Sequence, residues 1–328
     1  MRKVILLCCF CPFFGYSQFE GFQNDLDAVT QDLIFLTEKY ISPAADASVY
    51  QASGGWYTNF TPKSKFDVEI SLQYNLLFIP NSKKNFIVNE SELQNLGIQG
   101  TATSAQIPTA LGGDNFVVLE GRIGEETFEF DSPEGIGQET VKHGQIQATV
   151  GLWKQTNLIV RYAPNIKINE TKYSSFGFGL AHHLNQWIKP LMESSYHFGL
   201  LMTYTNYYVE DEFNEADLIL GTINAIKVKG NSIGFNLVAS KSVKQFDFST
   251  AIGLASTKFN YEVGGSNKQD FIDVLGYLND SLGSLEGTET NVKFDLNVNY
   301  RIKDFSLNTM LTLGQYANLN MGVSYNIN

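Results

Sequence analysis

The sequence predicts an all-β fold: an antiparallel transmembrane β-barrel of about 12–14 strands, 14 favoured, with an N-terminal helical plug segment. Three observations predict it. Residues 65–80, KFDVEISLQYNLLFIP, set Phe66, Val68, Ile70, Leu72, Tyr74, Leu76 and Phe78 in alternation with Asp67, Glu69, Ser71, Gln73 and Asn75. That is the period of a strand with one apolar and one polar face. All three cysteines, Cys8, Cys9 and Cys11, fall in an N-terminal stretch that reads as an export signal. No later apolar run approaches the ~18 residues that a membrane helix needs.

The signal comes first along the chain. Arg2 and Lys3 precede the apolar stretch Val4–Phe14, and Gly15 and Ser17 set small residues ahead of a cleavage site before Gln18. This layout marks residues 1–17 as a secretory signal. Leu7 precedes Cys8 and Phe10 precedes Cys11, where lipidation wants small residues. An exported chain without disulfides needs another route to stability, and a closed barrel with every strand paired is one. Without Arg2 and Lys3, 21 basic residues face 34 acidic ones, a net charge of −13 that argues against nucleic acid as a partner.

Residues 18–47 read as the helix and plug, and 48–328 as the barrel. Leu26, Val29, Leu33, Leu36 and Tyr40 recur at spacings of three and four, with Asn24 placed to cap the start and Pro43 to stop it. So short a helix is marginal alone in water and needs a partner surface. Its acidic residues are repelled by anionic headgroups, so the lumen or the periplasmic mouth is the expected partner.

Strand patterns follow at 48–59, 66–79, 145–152, 156–168, 172–181, 196–204, 218–228, 233–239, 246–254, 292–302, 305–313 and 319–327, with one or two more in 115–130. Tight links are expected at Lys303-Asp304, Lys229-Gly230-Asn231 and 315–318; long ones at 80–115, 131–141, 182–195 and 264–290. Short turns on one rim and long loops on the other characterise outer-membrane barrels. Counted back from a periplasmic C-terminus, 264–290 lies outside and Lys303-Asp304 inside. The same count puts the 229–231 turn outside and the longer 206–215 inside, which reverses the expected lengths.

Periodicity alone does not say which face of such a ribbon meets solvent. Length does: residues 66–79 span roughly 45 Å, or roughly 30 Å of height at a 45° tilt, which matches a bilayer. The apolar face is therefore expected to meet lipid.

The helix followed by SPAADASVYQASGGWY (42–57), the stretch GFGLAHHLNQWIKPL (177–191) and the alternating C-terminal third together resemble an uncharacterised outer-membrane branch related to the long-chain fatty-acid channel (FadL-like) family. Ser42-Pro43-Ala44 stands where that family has Asn-Pro-Ala. The resemblance implies fourteen strands, an N-terminal plug and passive carriage of hydrophobic molecules.

His182, His183 and Trp187 form the densest polar-aromatic cluster, a candidate lumen or substrate-path lining. Adjacent histidines on a strand point to opposite sides, so the pair is a poor metal site, and Trp187 reads as an interface anchor. No serine occurs between His182 and Ser194 to stand beside the histidines, and no enzyme, cofactor or metal is expected. The acidic stretches 120–139 and 209–217 read as solvated loops. Phe271, Val274, Leu275, Leu278 and Leu282 make a helical stripe, either a lid over the mouth or a helix on its rim. The expected location is the outer membrane of a Gram-negative bacterium, with its bilayer and a hydrophobic small molecule as partners. The preferred role is a passive channel for hydrophobic or amphiphilic small molecules; the rival is a non-transporting barrel that anchors or scaffolds a surface assembly.

Overall fold

A computed structural model describes residues 12–168, 171–268, 273–285 and 287–327; the expected signal core lies largely outside them. The chain opens on a long helix, α1 (Pro12–Ser53), and enters the barrel wall at β1 (Val68–Phe78). An insertion of short strands follows: β2 (Asn85–Asn89), β3 (Gly97–Ile98), β4 (Ser104–Pro108), β5 (Val118–Ile123) and β6 (Glu126–Asp131). The wall resumes with β7 (Thr140–Gly151), β8 (Thr156–Ile168) and β9 (Thr171–His183). The one-turn helix α2 (Lys189–Met192) leads to β10 (Tyr196–Asp217), β11 (Gly221–Val243) and β12 (Phe246–Asn267). After α3 (Val274–Leu282), the chain ends with β13 (Thr288–Ile302), β14 (Phe305–Leu313) and β15 (Ala317–Ile327). Among the described residues no helix is long and apolar enough to cross a membrane.

Ten strands close the barrel: β7 to β15 follow in sequence, and β1 joins β15 on one side and β7 on the other. Every pairing is antiparallel, and the closing seam runs in unbroken register from Val68↔Ile327 to Phe78↔Ala317. The faces are those of a barrel in lipid. Leu72 is 62% exposed on the outside, while its neighbour Gln73 is 4% exposed in the lumen. In β13, Val292, Phe294, Leu296 and Val298 face out, while Lys293, Asp295, Asn297 and Asn299 are buried inside. In water such an exterior has no partner; in a bilayer it is the solvated face.

The two rims differ. Tight links at Lys244-Gln245 and Lys303-Asp304 lie on the same rim as the end of β15. The opposite, long-loop rim carries the 79–139 insertion, α3 and the far ends of β10, β11 and β12.

Those three strands hold 22, 23 and 22 residues, and each changes character partway. Near the short-turn rim the outward series is apolar: Leu200, Met202 and Tyr204 in β10, Ile233, Phe235 and Leu237 in β11, Ile252 and Leu254 in β12. Nearer the long-loop rim the inward series becomes apolar: Tyr207 and Val209, Val228 and Ile226, Phe259 and Val263 are buried. The change falls on neighbouring rungs, because Tyr204 pairs Ile233 and Tyr207 pairs Gly230, itself opposite Phe259. At this level the wall leaves lipid and begins to enclose a water-type core.

That phase change explains the largest difference between the expected strands and those of the wall. Lys229-Gly230-Asn231 is not a turn but the middle of β11, and 218–228 with 233–239 is one strand rather than two. Gly230 is required by close approach: an added Cβ would collide with the Tyr207 ring on the neighbouring strand. Residues 206–215 belong to β10, which removes the reversed loop lengths.

The expected strand at 48–59 is also absent, since α1 passes Pro43 and ends at Ser53. An interior proline costs a helix ~3 kcal/mol; here the following turns gain lumen partners that offset it. The hairpin in 115–130 exists as β5 and β6 but lies in the insertion, outside the wall. The wall therefore has ten strands, not 12–14, and the fourteen-strand architecture implied by the family resemblance is not that of this chain.

At the long-loop rim the insertion, α3 and the first half of α1 form a cap with an ordinary apolar core. Val29, Ile98, Leu119, Phe128, Leu278 and Leu282 are buried there against the extended strands. Of the helical stripe expected in the last long loop, Val274, Leu278 and Leu282 pack into this core; Phe271 lies outside the described residues.

Candidate functional site

The lumen is occupied by the chain itself. From the cap, α1 descends into the barrel and ends mid-lumen; residues 54–67 continue to the short-turn rim and turn back as β1. A helix end leaves carbonyls without intrahelical donors, and inside a barrel water cannot be relied on to supply them. Wall side chains do so. Asn318 donates to the Tyr50 carbonyl (3.2 Å), Arg161 to Ala52 (3.0 Å) and Lys293 to Ser53 (3.0 Å). Two of the three donors are cations, the charge that a helix C-terminus favours.

Gly54 and Gly55 then break the helix, Gly55 at φ +69°. Cβ atoms there would strike the amides of Asn318 and Asn320, so the wall fits the bare backbone closely. Beyond them Trp56 lies under the Arg161 guanidinium, 4.0 Å from ring to cation, and against Gly177 and Gly179 of β9. The alternate glycines of the GFGL stretch are the space for this indole. Phe60 packs against His183, the rings tilted 46° with centres 4.6 Å apart, and its carbonyl accepts from Ser240 (2.7 Å). Thr58 closes the column, donating to Glu69 (2.5 Å) while its carbonyl accepts from Asn297 (2.8 Å).

Further wall groups hold one another. Lys293 pairs with Asp295 at 2.6 Å, and Asp295 accepts from Thr312 at 2.7 Å. His143 lies between Gln51 and Asn75 (3.1 Å). The arrangement binds and fixes a peptide segment.

The cap is pinned to α1 by acidic side chains. Asp32, 2% exposed, accepts the backbone N–H groups of Gln94, Asn95 and Leu96, each at 2.8 Å. Asp25 accepts from the Gly124 N–H (3.0 Å), and Asp27 from the Tyr277 hydroxyl of α3 (2.7 Å). That last bond, with slight desolvation and the charge of Asp27, raises the Tyr277 pKa above its ordinary value. Tyr40 donates to Asp211 at 2.5 Å. At the tip of the β10–β11 link, Lys268 and the Ile219 N–H hold the Asp217 carboxyl below the usual range.

The histidine cluster divides between the two sides of the wall. His183 faces the lumen and is buried. His182 is half-buried on the outside, accepting from the Trp187 indole N–H (2.9 Å), and Trp187 is exposed at the short-turn rim. Lys154 lies 5.8 Å from the Trp187 ring centre, and on the same rim Lys65 lies 4.7 and 4.8 Å from those of Phe66 and Trp153. Lysines spread over exposed aromatics are the furniture of a membrane–water boundary.

Cavities lie in and beside the cap. One, of about 60 Å³, is almost wholly apolar and is bounded by Leu33, Leu36 and Tyr40 of α1, Phe86, Phe213 and Val263. Another is an open cleft of mixed polarity, about 710 Å³, with Lys84, Asp114, Asp131, Glu134 and Glu212 on its walls.

Taken together, fold and lumen define a closed ten-stranded antiparallel barrel with an apolar exterior, plugged by its own N-terminal segment. The chain belongs to the Family of unknown function (DUF6588), whose model matches residues 1–327. No curated protein matches it. Among solved structures it is similar to the COG4313 outer membrane channel from Pseudomonas putida F1, with 10% identity, 82% of this chain and 98% of that one covered, and a TM-score of 0.35. It is also similar to the translocator domain of the autotransporter NalP from Neisseria meningitidis, with 11% identity, coverage of 88% and 99%, and a TM-score of 0.34. For the attachment invasion locus protein Ail of Yersinia pestis the values are 6%, 80%, 100% and 0.26.

Proposed function

We propose that this is an exported outer-membrane barrel, shut by its own N-terminal segment, that holds a folded cap on the outer face of the membrane as an anchor or scaffold for a surface assembly. The observation that supports this best is the threaded lumen: backbone carbonyls from Tyr50 to Phe60 are tied to side chains on β8, β11, β13 and β15. An axial path would have to break this column. With short turns on the periplasmic side, the cap and the first half of α1 lie outside; of the two places the sequence offers for the helix, the lumen takes its second half and the periplasmic mouth takes none of it. The reading assigns no enzymatic role.

Two measurements test it. In planar bilayers the purified full chain should show no sustained open steps; stable porin-like conductance would sink the plugged reading. On intact cells an impermeant maleimide should label Asn24→Cys or Glu125→Cys in the cap but reach Lys303→Cys only after the outer membrane is opened. The reverse pattern would show the cap facing the periplasm.

A second reading is the passive passage of hydrophobic or amphiphilic small molecules implied by the FadL-like resemblance. The apolar cavity between α1 and the extended strands favours it. It predicts that Leu36→Trp, which fills the cavity, abolishes uptake of a fluorescent fatty acid that the unmodified barrel supports. No uptake by the unmodified barrel would end this reading.

A further inference from the structure

The outer face of the wall carries a trough near the short-turn rim. Antiparallel register places Leu237, Ile252, Phe294 and Leu313 on one rung, forming an upper ridge. Three rungs lower, Val243, Phe246, Tyr300 and Leu307 form a second ridge. Between them Ala239 pairs with Thr250, and Thr309 sits beside Val298, so small side chains leave a hollow of about 720 Å³ running from β10 to β14. At about 4.8 Å per strand, four inter-strand steps make it roughly 19 Å long.

One end of this trough is polar. Lys241 lies 4.4 Å from the centre of the Tyr196 ring, and its ammonium donates to the Tyr196 hydroxyl at 3.2 Å. One rung deeper, the Thr250 hydroxyl is buried without a hydrogen-bond partner. The order is thus a cation with a phenol at the membrane boundary and then apolar floor.

We infer that this trough is a binding site for a glycerophospholipid of the leaflet on the short-turn side. Its phosphodiester meets Lys241 and Tyr196, and one acyl chain lies along the floor past Thr250, Leu296 and Leu311. The inference rests on the membrane reading above. Charge complementarity at Lys241, with the Tyr196 hydroxyl beside it, selects a phospholipid over a wholly apolar occupant.

The test is native mass spectrometry and phosphorus analysis of the full chain, extracted from outer membranes in mild detergent. The unmodified barrel should retain phospholipid. Ala239→Phe combined with Thr250→Leu fills the trough and should lower retention by about tenfold, the loss expected for roughly two buried methylene groups. Lys241→Gln, which leaves the hollow open, should lower it severalfold. Equal retention in all three proteins, or none in the unmodified barrel, overturns the site. So does a dimer that the filled variant loses, since a second copy would then be the occupant. Heat-modifiable migration of each variant separates the two claims: a folded, embedded barrel without bound lipid sinks only this inference, whereas a chain that never enters the outer membrane sinks the membrane reading as well.

Discussion

The lower wall and the cap obey opposite rules with the same residues. Around the bilayer Leu72, Ile252 and Phe294 face outward, and Gln73, Asp295 and Asn297 are buried; in the cap Val29, Leu119 and Phe128 are buried in the usual way. Three strands pass through both regimes, and their apolar series changes sides on neighbouring rungs. Hydrophobic pattern therefore records what surrounds each stretch of strand, and a change of surroundings can look like the end of a strand.

The comparison is broken most severely inside the lumen. Lys293→Met leaves the Asp295 carboxylate buried beside Thr312 alone, and removing one partner of a buried pair costs ~3–5 kcal/mol. Urea unfolding in detergent should show this loss, and adding Asp295→Asn should recover most of it. Next comes a matched pair of leucines. Leu119→Ala should destabilise the cap by ~2–5 kcal/mol through an unfilled cavity, as seen by hydrogen exchange in β5 and β6. Leu72→Ala on the lipid face should cost far less, because acyl chains close over the gap. Equal effects would mean that both sites face the same medium.

Charge sharpens the contrast. Leu72→Arg should cost ~2–4 kcal/mol, since lipid does not solvate the guanidinium. Were the lumen an open aqueous pore, Gln73→Arg would be nearly free. Gln73 instead touches Gln145 and Asn320 beside Gly55, so overpacking should cost ~1–3 kcal/mol and loosen the column. The smallest effect is at the junction of the two regions. Tyr40→Phe removes the bond to Asp211, which keeps Thr171 as a donor, and should cost about 1–2 kcal/mol, read as faster exchange in the first half of α1.

Much of the wall was legible because a strict period of two needs only one strand to be seen. β1, β14 and β15 fall close to where alternation puts them, and the helical stripe from Leu26 to Tyr40 does belong to a helix. The strand count failed where two physical causes produce the same local signal. At Lys229-Gly230-Asn231, glycine beside polar residues reads as a turn, whereas the structure uses Gly230 to admit Tyr207. At 48–59, alternation-like spacing belongs to a segment surrounded by wall on every side, which no local pattern encodes. The lumen partners were the least legible. Arg161, Lys293 and Asn318 lie far from Tyr50–Ser53 in sequence, and only closure brings them to those carbonyls. The glycines at 177 and 179 were the available clue, since two vacancies on one strand face call for a bulky occupant.

The threaded lumen also imposes an order of construction. A ring cannot be closed first and then strung on a chain whose upper end carries a folded head wider than the hole. Either the seam between β1 and β15 knits around a segment already lying in the groove of an open sheet, or α1 passes through as a bare strand of peptide and winds up only on the far side. In the first route the final joint of the wall and the seating of Trp56 and Phe60 become a single event, and a label on the indole and a crosslink across the seam report the same rate; in the second the crosslink forms first.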